Sequence, residues 1–161
     1  DPEGTMAAFS DLVDDGNIER IGVSNFEPHH VDEAAEVLGE YPFANQVEIH
    51  PLLQQEELRA HAEEHDYELV AYSPLARGKV FDVPEVVDVA EKHDVSPAQV
   101  SLAWLRAKDI TAIPKATSTD HIEDNFGSLS LDLDEEDVAA IDAIETTDRR
   151  VNPDFGPDAW N

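Results

Sequence analysis

Apolar residues alternate along the chain between short β-branched runs and longer stretches with helical spacing. Four short runs, each followed by proline or small polar residues, predict strands at residues 20–26, 44–50, 67–73 and 110–113. Apolar residues spaced three and four apart predict the helices. These are expected at residues 5–15, 28–39, 55–65, 84–93, 97–108, 118–126 and 133–145. The alternation of strand and helix predicts an α/β fold with a parallel sheet.

Several helix ends carry their own signals. Pro28 opens one predicted helix and Gly39 ends it, and Ser96 is an N-cap followed by Pro97. Asp134 is expected to cap the last helix. The stretch 97–108 is apolar over a wide surface, so we expect it to be well buried.

The stretch 110–125 combines a short strand with the start of a helix. The apolar run 110–113 predicts a buried strand, and Ser118 begins a helix with Asp120 in its first turn. Lys115 lies between them, beside the hydroxyl of Thr117. A cation next to a helix N-terminus favours anion binding. An ordinary strand-to-helix turn with an exposed lysine is the alternative.

The charge balance is strongly acidic. The 161 residues include 10 Lys and Arg against 37 Asp and Glu, which gives a formal net charge of -27. Such a surface repels nucleic acid and anionic membranes, so we expect neither as a partner. It suits high salt, where screening weakens self-repulsion, and we expect a halophilic source.

Composition also limits location and organisation. The chain has no cysteine, no apolar run long enough to span a membrane and no visible signal peptide, so we expect a soluble cytoplasmic protein. Its length and 41% hydrophobic content predict one domain over residues 1–161, with a C-terminal tail at 148–161. The chain does not start with Met, so its N-terminus is interpreted as processed or cut.

Polar residues follow each predicted strand. They are Ser24 and Asn25, His50, Tyr72 and Ser73, and Lys115. In (β/α) barrels the carboxyl ends of the strands build the site, and the last loops often hold phosphate. Only four strands are predicted, whereas a closed barrel needs about eight. We expect Asn25, Gln46, Tyr72 and Lys115 to converge at one rim of the sheet.

Four motifs occur in one order with barrel-like spacing. They are IGVSNF at 21–26, NQVE with HP at 45–51, AYSPL at 71–75 and IPK at 113–115. Together they resemble the C-terminal half of the aldo-keto reductases, in particular the group similar to 2,5-diketo-D-gluconate reductase. Residues 152–160 resemble the C-terminal segment of that group. The resemblance implies a TIM-barrel type fold, with the four strands here as barrel strands five to eight.

The resemblance also implies a function. Members of that family transfer a hydride from NADPH to an aldehyde or ketone. Ser24, Asn25 and Gln46 match the residues that hold the nicotinamide carboxamide, and Tyr72 matches the aromatic that stacks on the ring. Asn and Gln amides offer the donor and acceptor that a carboxamide needs.

The rest of the cofactor site is implied in the same way. Ser73 and Leu75 match residues beside the pyrophosphate. Lys115 matches the cation at the adenosine 2′-phosphate. The remaining matches are Ala116, Thr117 and Ser118 in the loop beneath it and Asp124 and Asn125 at the adenine. His121 stands where many members have arginine, and it is a weaker, pH-dependent partner, so NADH is the alternative cofactor.

No catalytic or metal-binding residue is assigned. The family's proton donor is a tyrosine assisted by lysine, aspartate and histidine, which belong to the N-terminal half of the barrel. His50 is interpreted as a core histidine. The other histidines examined, His29, His30, His61, His65 and His93, show no metal-ligand spacing and are interpreted as solvated surface.

Four explanations of this half-barrel remain open. The chain is a fragment of a longer enzyme, pairs with a second copy, needs a separate N-terminal half, or is a non-catalytic relative. The first three agree with a carbonyl reductase acting on a small-molecule carbonyl substrate. The last describes a nucleotide-binding or structural half-barrel without turnover. In each case the open edges favour a second half-barrel as partner.

Overall fold

The computed structural model describes residues 2–152, so the predicted tail lies largely outside the described residues. The strands in this part are β1 Gly22–Ser24, β2 Ala44–Glu48, β3 Glu68–Tyr72 and β4 Thr111–Ala112. The α-helices are α1 Pro2–Asp14, α2 Pro28–Leu38, α3 Glu56–His65, α4 Pro84–His93, α5 Pro97–Ala107, α6 Thr119–Gly127 and α7 Glu135–Asp142. Every predicted helix and strand is present, and each strand is shorter than predicted.

The four strands form one sheet in the order β1-β2-β3-β4. β1 runs parallel to β2, with Gly22 opposite Ala44 and Ser24 opposite Gln46. Consecutive parallel strands require a crossover, and the helix α2 supplies it between β1 and β2. The predicted α/β class with a parallel sheet is therefore confirmed.

The chain divides into two compact units. The first comprises Asp1–Val47 and Gln55–Val70, and the second comprises Glu48–Gln54 and Ala71–Asn161. The prediction of a single domain over the whole chain stays a prediction.

In the first unit, α1 packs on α2. Met6, Val23 and Ala34 form a buried apolar cluster, with Phe26 packed against it. The apolar face predicted for α1 is only partly covered, because Phe9 is 40% exposed. Burial of this cluster holds α1 and α2 beside β1.

In the second unit, α5 is the central helix. It packs on α4, α6 and α7, and Val100, Trp104 and Leu105 are fully buried. Trp104 Nε1 donates a hydrogen bond to Asp142 Oδ1 at 2.8 Å, which satisfies the indole while its ring stays in the core. The prediction that α5 is well buried is confirmed.

Local signals fix the helix ends as predicted. Ser96 Oγ accepts from the backbone N–H of Gln99 at 3.1 Å, and Asp134 Oδ1 accepts from the N–H of Asp137 at 2.9 Å. Gly39 ends α2 with a φ of 77°. This left-handed conformation is one that glycine adopts without steric cost.

The strand before Pro114 differs from its prediction. β4 is two residues long, Thr111 is exposed and Ile113 is 44% exposed, so the prediction of a buried strand at 110–113 is wrong. Only Ile110 is buried. β4 is an outer strand of the sheet, so one of its edges has no neighbouring strand within the described residues.

The segment after β3 contains short 3-10 turns over Ala76–Asp82. Ala76 and Arg77 adopt left-handed backbone conformations, with φ of 47° and 52°. Within residues 2–152, no helix combines the length and apolar character required to cross a membrane.

Candidate functional site

In the first unit, the carboxyl ends of β1 and β2 are tied together by two hydrogen bonds. Ser24 Oγ and the backbone N–H of Asn25 both donate to the carbonyl oxygen of Gln46, at 2.8 and 2.9 Å. Asn25 adopts a left-handed conformation with φ 60°, which asparagine tolerates better than most residues. Three residues predicted from the sequence therefore lie together, and Ser24 and Gln46 are exposed.

Asn45 holds the loop that follows β1. Its side chain is buried, donates to the carbonyl oxygen of Phe26 at 2.8 Å and accepts from the N–H of Phe26 at 3.4 Å. The motif at 45–48 thus contains a positioning residue that sequence reasoning did not assign. The one signal for this role in the sequence was an amide residue next to Gln46, at a strand position whose side chain faces the core.

In the second unit, Tyr72 ends β3 and is half-buried. Burial raises the pKa of its phenol, and the nearby Glu48 carboxylate raises it further, against the opposing charges of Arg149 and Arg77. Tyr72 therefore remains a neutral aromatic ring at physiological pH.

The segment after Tyr72 is anchored to α5. Ser101 Oγ donates to the carbonyl oxygen of Pro74 at 2.7 Å, and both groups are buried. Ser73 takes a left-handed φ of 49°. Ser73 and Leu75 are half-buried on either side of Pro74. The hydrogen bond from Ser101 fixes the backbone shortly after Tyr72 against α5.

The residues predicted to bind an anion lie between β4 and α6. Lys115, Thr117 and Ser118 are exposed, and Ala116 is half-buried. Ser118 caps α6, its Oγ accepting from the N–H of His121 at 3.3 Å, as predicted. The remaining N–H groups of the first turn and the helix dipole favour an anion in front of the helix.

Lys115 differs from several other cations of this unit. Lys92, Lys108, Arg106 and Arg150 each form an ion pair with an aspartate. Within residues 2–152, no carboxylate pairs with Lys115. In a chain with a net charge of -27, an exposed lysine without an acidic partner leaves a positive charge available to a ligand.

Further along α6, Asp124 is engaged with α5. Its two oxygens accept from Ser96 Oγ and Gln99 Nε2, both at 2.7 Å. Each oxygen keeps a second lone pair for another donor. Asp124 therefore also positions α6 on the start of α5, a role that sequence reasoning missed.

A groove of about 700 Å³ lies beside α6. Ala116 and Asn125 contribute to it, together with exposed apolar side chains of the same unit. The apolar residues are Ile122, Phe126 and Leu129. His121 is exposed near the start of α6 and is not part of the groove lining.

The predicted residues thus fall into a group in the first unit, at Ser24, Asn25 and Gln46, and groups in the second unit after β3 and β4. The expectation that all of them converge at one rim stays a prediction.

The aldo/keto reductase family profile matches residues 1–146. The chain belongs to the aldo/keto reductase family. The glyoxal reductase of Bacillus subtilis is 40% identical over 149 residues, which are 92% of this chain and 54% of that protein. The methylglyoxal reductase DkgB of Escherichia coli is 34% identical over 160 residues, 99% of this chain and 60% of that protein.

A crystal structure of a Gox0644 variant in complex with NADPH has 34% sequence identity and a TM-score of 0.81, covering 85% of this chain and 51% of that one. This aldo/keto reductase chain thus spans about half the length of the curated relatives it matches. The resemblance stated from the ordered motifs is confirmed at the level of the family.

A second feature of this aldo/keto reductase chain is a buried carboxylate at the end of β2. Glu48 accepts from His50 Nε2 at 2.9 Å and from the backbone N–H groups of Arg150 and Val151 at 2.7 and 2.8 Å. Burial opposes ionisation, but these hydrogen bonds outweigh it and hold the pKa of Glu48 below its usual range. His50 is fully buried, as the prediction of a core histidine required.

The prediction that the remaining histidines are solvated is wrong for four of them. His30 is half-buried, and its Nδ1 accepts from the backbone N–H of Glu27 at 3.3 Å. His93 Nε2 lies 2.7 Å from Asp137 Oδ2, and His61 and His65 are half-buried beside Asp32. His61 and His65 stand four residues apart on α3, and side chains with this spacing share one helix face. That spacing was the signal that sequence reasoning overlooked. His29 is exposed, as predicted.

Proposed function

We propose that this chain is the cofactor-binding half of an NADPH-dependent oxidoreductase that reduces aldehydes or ketones. Family membership supports carbonyl reduction as the chemistry. The observation that carries the cofactor assignment is Lys115, an exposed cation without an acidic partner in the described chain, next to the start of α6.

The argument from Lys115 is electrostatic. A phosphate monoester carries close to two negative charges at neutral pH, and it would be repelled by most of this acidic surface. Lys115 and the N–H groups that begin α6 are a local exception. We therefore assign the 2′-phosphate to this position, with Ala116, Thr117 and Ser118 beneath it. His121 lacks the rigid fork of donors that an arginine presents to a phosphate, so it adds less than an arginine would.

The first unit suits the nicotinamide end of the same cofactor. A carboxamide presents one acceptor and two donor hydrogens, and the amides of Asn25 and Gln46 offer both kinds of group. Their backbones are fixed by the hydrogen bonds to the Gln46 carbonyl oxygen. In the second unit, the neutral ring of Tyr72 provides a flat surface for stacking, and Ser73 and Leu75 are assigned to the pyrophosphate.

The residues described fit NADPH, which when bound would supply the hydride for the carbonyl carbon. A proton must also reach the carbonyl oxygen, and a positioned acid contributes about 10²–10⁴-fold to such a step. Tyr41, Tyr67 and Tyr72 do not stand in the family's proton-donor motif. We propose that an N-terminal half-barrel supplies the donor, because a second copy of this chain would bring only the same three tyrosines.

Exposed apolar side chains support the proposal that a second half-barrel binds this chain. Ile122, Phe126 and Leu129 are 57%, 71% and 58% exposed along the groove beside α6. Contiguous exposed apolar surface of this kind is typical of an interaction site. On this view β1–β4 correspond to barrel strands five to eight, and the chain is one part of a longer enzyme.

The substrate class is proposed from the relatives. Two of them are named for glyoxal and methylglyoxal, which are small dicarbonyl compounds. We propose a small aldehyde or ketone of this kind as the substrate. The acidic composition supports a halophilic source, because high salt screens the mutual repulsion of surface carboxylates.

The test is a titration of the whole chain with NADPH, followed by nicotinamide fluorescence, with NADH in a parallel titration. We expect saturable binding of one NADPH per chain and weaker binding of NADH. Turnover is then measured by the loss of NADPH absorbance with methylglyoxal, for the chain alone and after addition of a complementary N-terminal half-barrel.

Binding without turnover in the chain alone, and turnover after complementation, would support the reductase. Binding that never leads to turnover would instead identify a non-catalytic nucleotide-binding half-barrel. Failure to bind NADPH at all would refute the cofactor assignment.

A further inference from the structure

Two histidines and one aspartate of the first unit form a cluster unrelated to the cofactor residues. One ligand atom from each of Asp32, His61 and His65 lies within 4.8 Å of the others. Asp32 belongs to α2, and the two histidines belong to α3. The cluster therefore brings nitrogen and carboxylate donors from two helices to one place.

We propose that Asp32, His61 and His65 bind a divalent transition-metal ion of the zinc class. Two imidazoles and one carboxylate are the donor types that Zn²⁺ takes in sites with three protein ligands. Imidazole also binds Co²⁺, Ni²⁺ and Cu²⁺ well, whereas Mg²⁺ and Ca²⁺ prefer oxygen ligands throughout.

The distances suit such an ion. Ligand atoms placed 2.0–2.1 Å from a tetrahedral Zn²⁺ lie about 3.3 Å from one another. His61 Nε2 lies 3.1 Å from Asp32 Oδ1, close to this separation. The rings of His61 and His65 are 4.4 Å apart between centroids, so both are within reach of one ion after small side-chain rotations.

Neighbouring tyrosines orient the two imidazoles. His61 Nδ1 lies 3.0 Å from Tyr67 Oη, and a His61 that donates through Nδ1 keeps its Nε2 lone pair for a metal. Tyr67 is buried and can hold His61 in place.

Tyr41 plays the corresponding part for His65. The two rings stack with centroids 4.2 Å apart and an angle of 20° between planes. Tyr41 Oη lies 3.5 Å from His65 Nε2 and donates to Asp32 Oδ1 at 3.1 Å. A bound ion would replace the contacts that now link Asp32 to His61 and Tyr41. Because Asp32 is half exposed, a water molecule can complete the coordination.

Electrostatics favours the same conclusion. The chain attracts cations through its net charge of -27. An ion held between α2 and α3 would stabilise the first unit by mass action.

The test uses the full chain after treatment with a chelator and dialysis. Zn²⁺ is titrated in competition with a chromophoric chelator, in excess Mg²⁺ to occupy simple carboxylate sites. We expect one Zn²⁺ per chain, and at least about tenfold weaker binding in His61→Gln and in His65→Gln, because even outer-shell changes commonly cost 10–100-fold. His29→Gln, an exposed histidine of the same unit, is the matched control and should bind as the parent does.

Two further measurements use the parent chain and therefore do not require the variants to fold. Co²⁺ should give the visible absorption band of a low-coordinate site with nitrogen ligands. Side-chain nitrogen NMR should show Zn²⁺ shifting His61 and His65 but not His29 or His93. Absence of stoichiometric Zn²⁺ binding, binding unaffected in both folded variants, or shifts confined to other histidines would each overturn the proposal.

Discussion

The carboxylate of Glu48 accepts a hydrogen bond at 2.7 Å from the backbone N–H of Arg150, 102 residues further along the chain. The same carboxylate accepts from Val151 and from His50. The end of β2 and the segment after α7 are thereby joined through one buried charge. That charge is stable because three donors replace the water it has lost.

We predict that Glu48→Gln destabilises the fold by about 1–3 kcal/mol, because an amide NH₂ replaces an acceptor and leaves a buried N–H without a partner. The measurement is urea unfolding at neutral pH. Glu63→Gln, an exposed position on α3, is the control and should change stability by less than about 0.5 kcal/mol.

The destabilisation caused by Glu48→Gln should become smaller at low pH. The pKa of Glu48 is lowered in the folded chain, so its ionised form stabilises the fold above the unfolded pKa of about 4.3. This stabilisation is lost as the pH falls through the lower folded pKa. The difference between the parent and Glu48→Gln should therefore shrink in acid, and a difference that grows there would contradict the assignment.

Lys115→Ala should weaken NADPH binding by at least about tenfold, roughly 1.4 kcal/mol, and leave NADH binding nearly unchanged. The reason is that only NADPH carries the 2′-phosphate assigned to this lysine. Fluorescence titration of both nucleotides measures the effect. Lys79→Ala removes an exposed lysine that pairs with Asp82 and is the matched control. Equal losses for both nucleotides would refute the 2′-phosphate role.

Asp137→Asn should lower the free energy of unfolding by about 2–3 kcal/mol, since hydrogen bonds to charged groups are stronger than neutral ones. Asp137 is buried and accepts from Lys92 Nζ at 2.6 Å and His93 Nε2 at 2.7 Å. Asp88→Asn changes an exposed aspartate on α4 and serves as the control in thermal or urea unfolding.

Acid should remove the same contribution. Burial opposes ionisation of Asp137, but the bonds from Lys92 and His93 outweigh it and lower its pKa, and Lys92 lowers the pKa of Asp134 to about 2. Asp134 therefore stabilises the fold above about pH 3.9 and ceases to do so as the pH falls toward 2. The contribution of Asp137 is likewise lost as the pH falls through its lowered folded pKa. If Asp137→Asn were as stable as the parent at neutral pH, the bonds of Asp137 to Lys92 and His93 would contribute nothing to the stability of the fold.

Raising KCl from about 0.1 M to about 1 M should increase the melting temperature, because the screening length falls from about 10 Å to about 3 Å. Self-repulsion among 37 acidic residues then weakens. The measurement is thermal unfolding followed by circular dichroism. A melting temperature that stays constant or falls over this range would contradict the proposed adaptation to salt.

The features predicted correctly from the sequence are local ones. Pro28, Gly39, Ser96 and Asp134 mark helix ends because each acts on backbone groups within three or four residues. The ordered motifs likewise located the loops after the strands. These signals need no knowledge of distant contacts.

The features that were missed depend on distant partners or on exposure. A short apolar run predicts a strand but does not indicate whether that strand lies inside the sheet or at its edge. The exposure of Ile113 could therefore not be predicted from the sequence. The partners of Glu48 lie about a hundred residues away, and no local pattern indicates them. The His61 and His65 spacing was visible, but Asp32 joins them only through the packing of α2 beside α3.

The side chain of Asn45 presents Phe26 with one N–H and one C=O, the same two groups that a peptide unit would offer. The pair formed by the Asn45 side chain and the Phe26 backbone therefore continues the pairing of β1 and β2 beyond the last paired residues of the two strands, Ser24 and Gln46. Sliding β1 by a single residue would break this pair as well as turn the core-facing Val23 outward. Asn45 thus fixes the register of β1 against β2. Because it bonds only to backbone groups of Phe26, this effect does not require a particular side chain at that position.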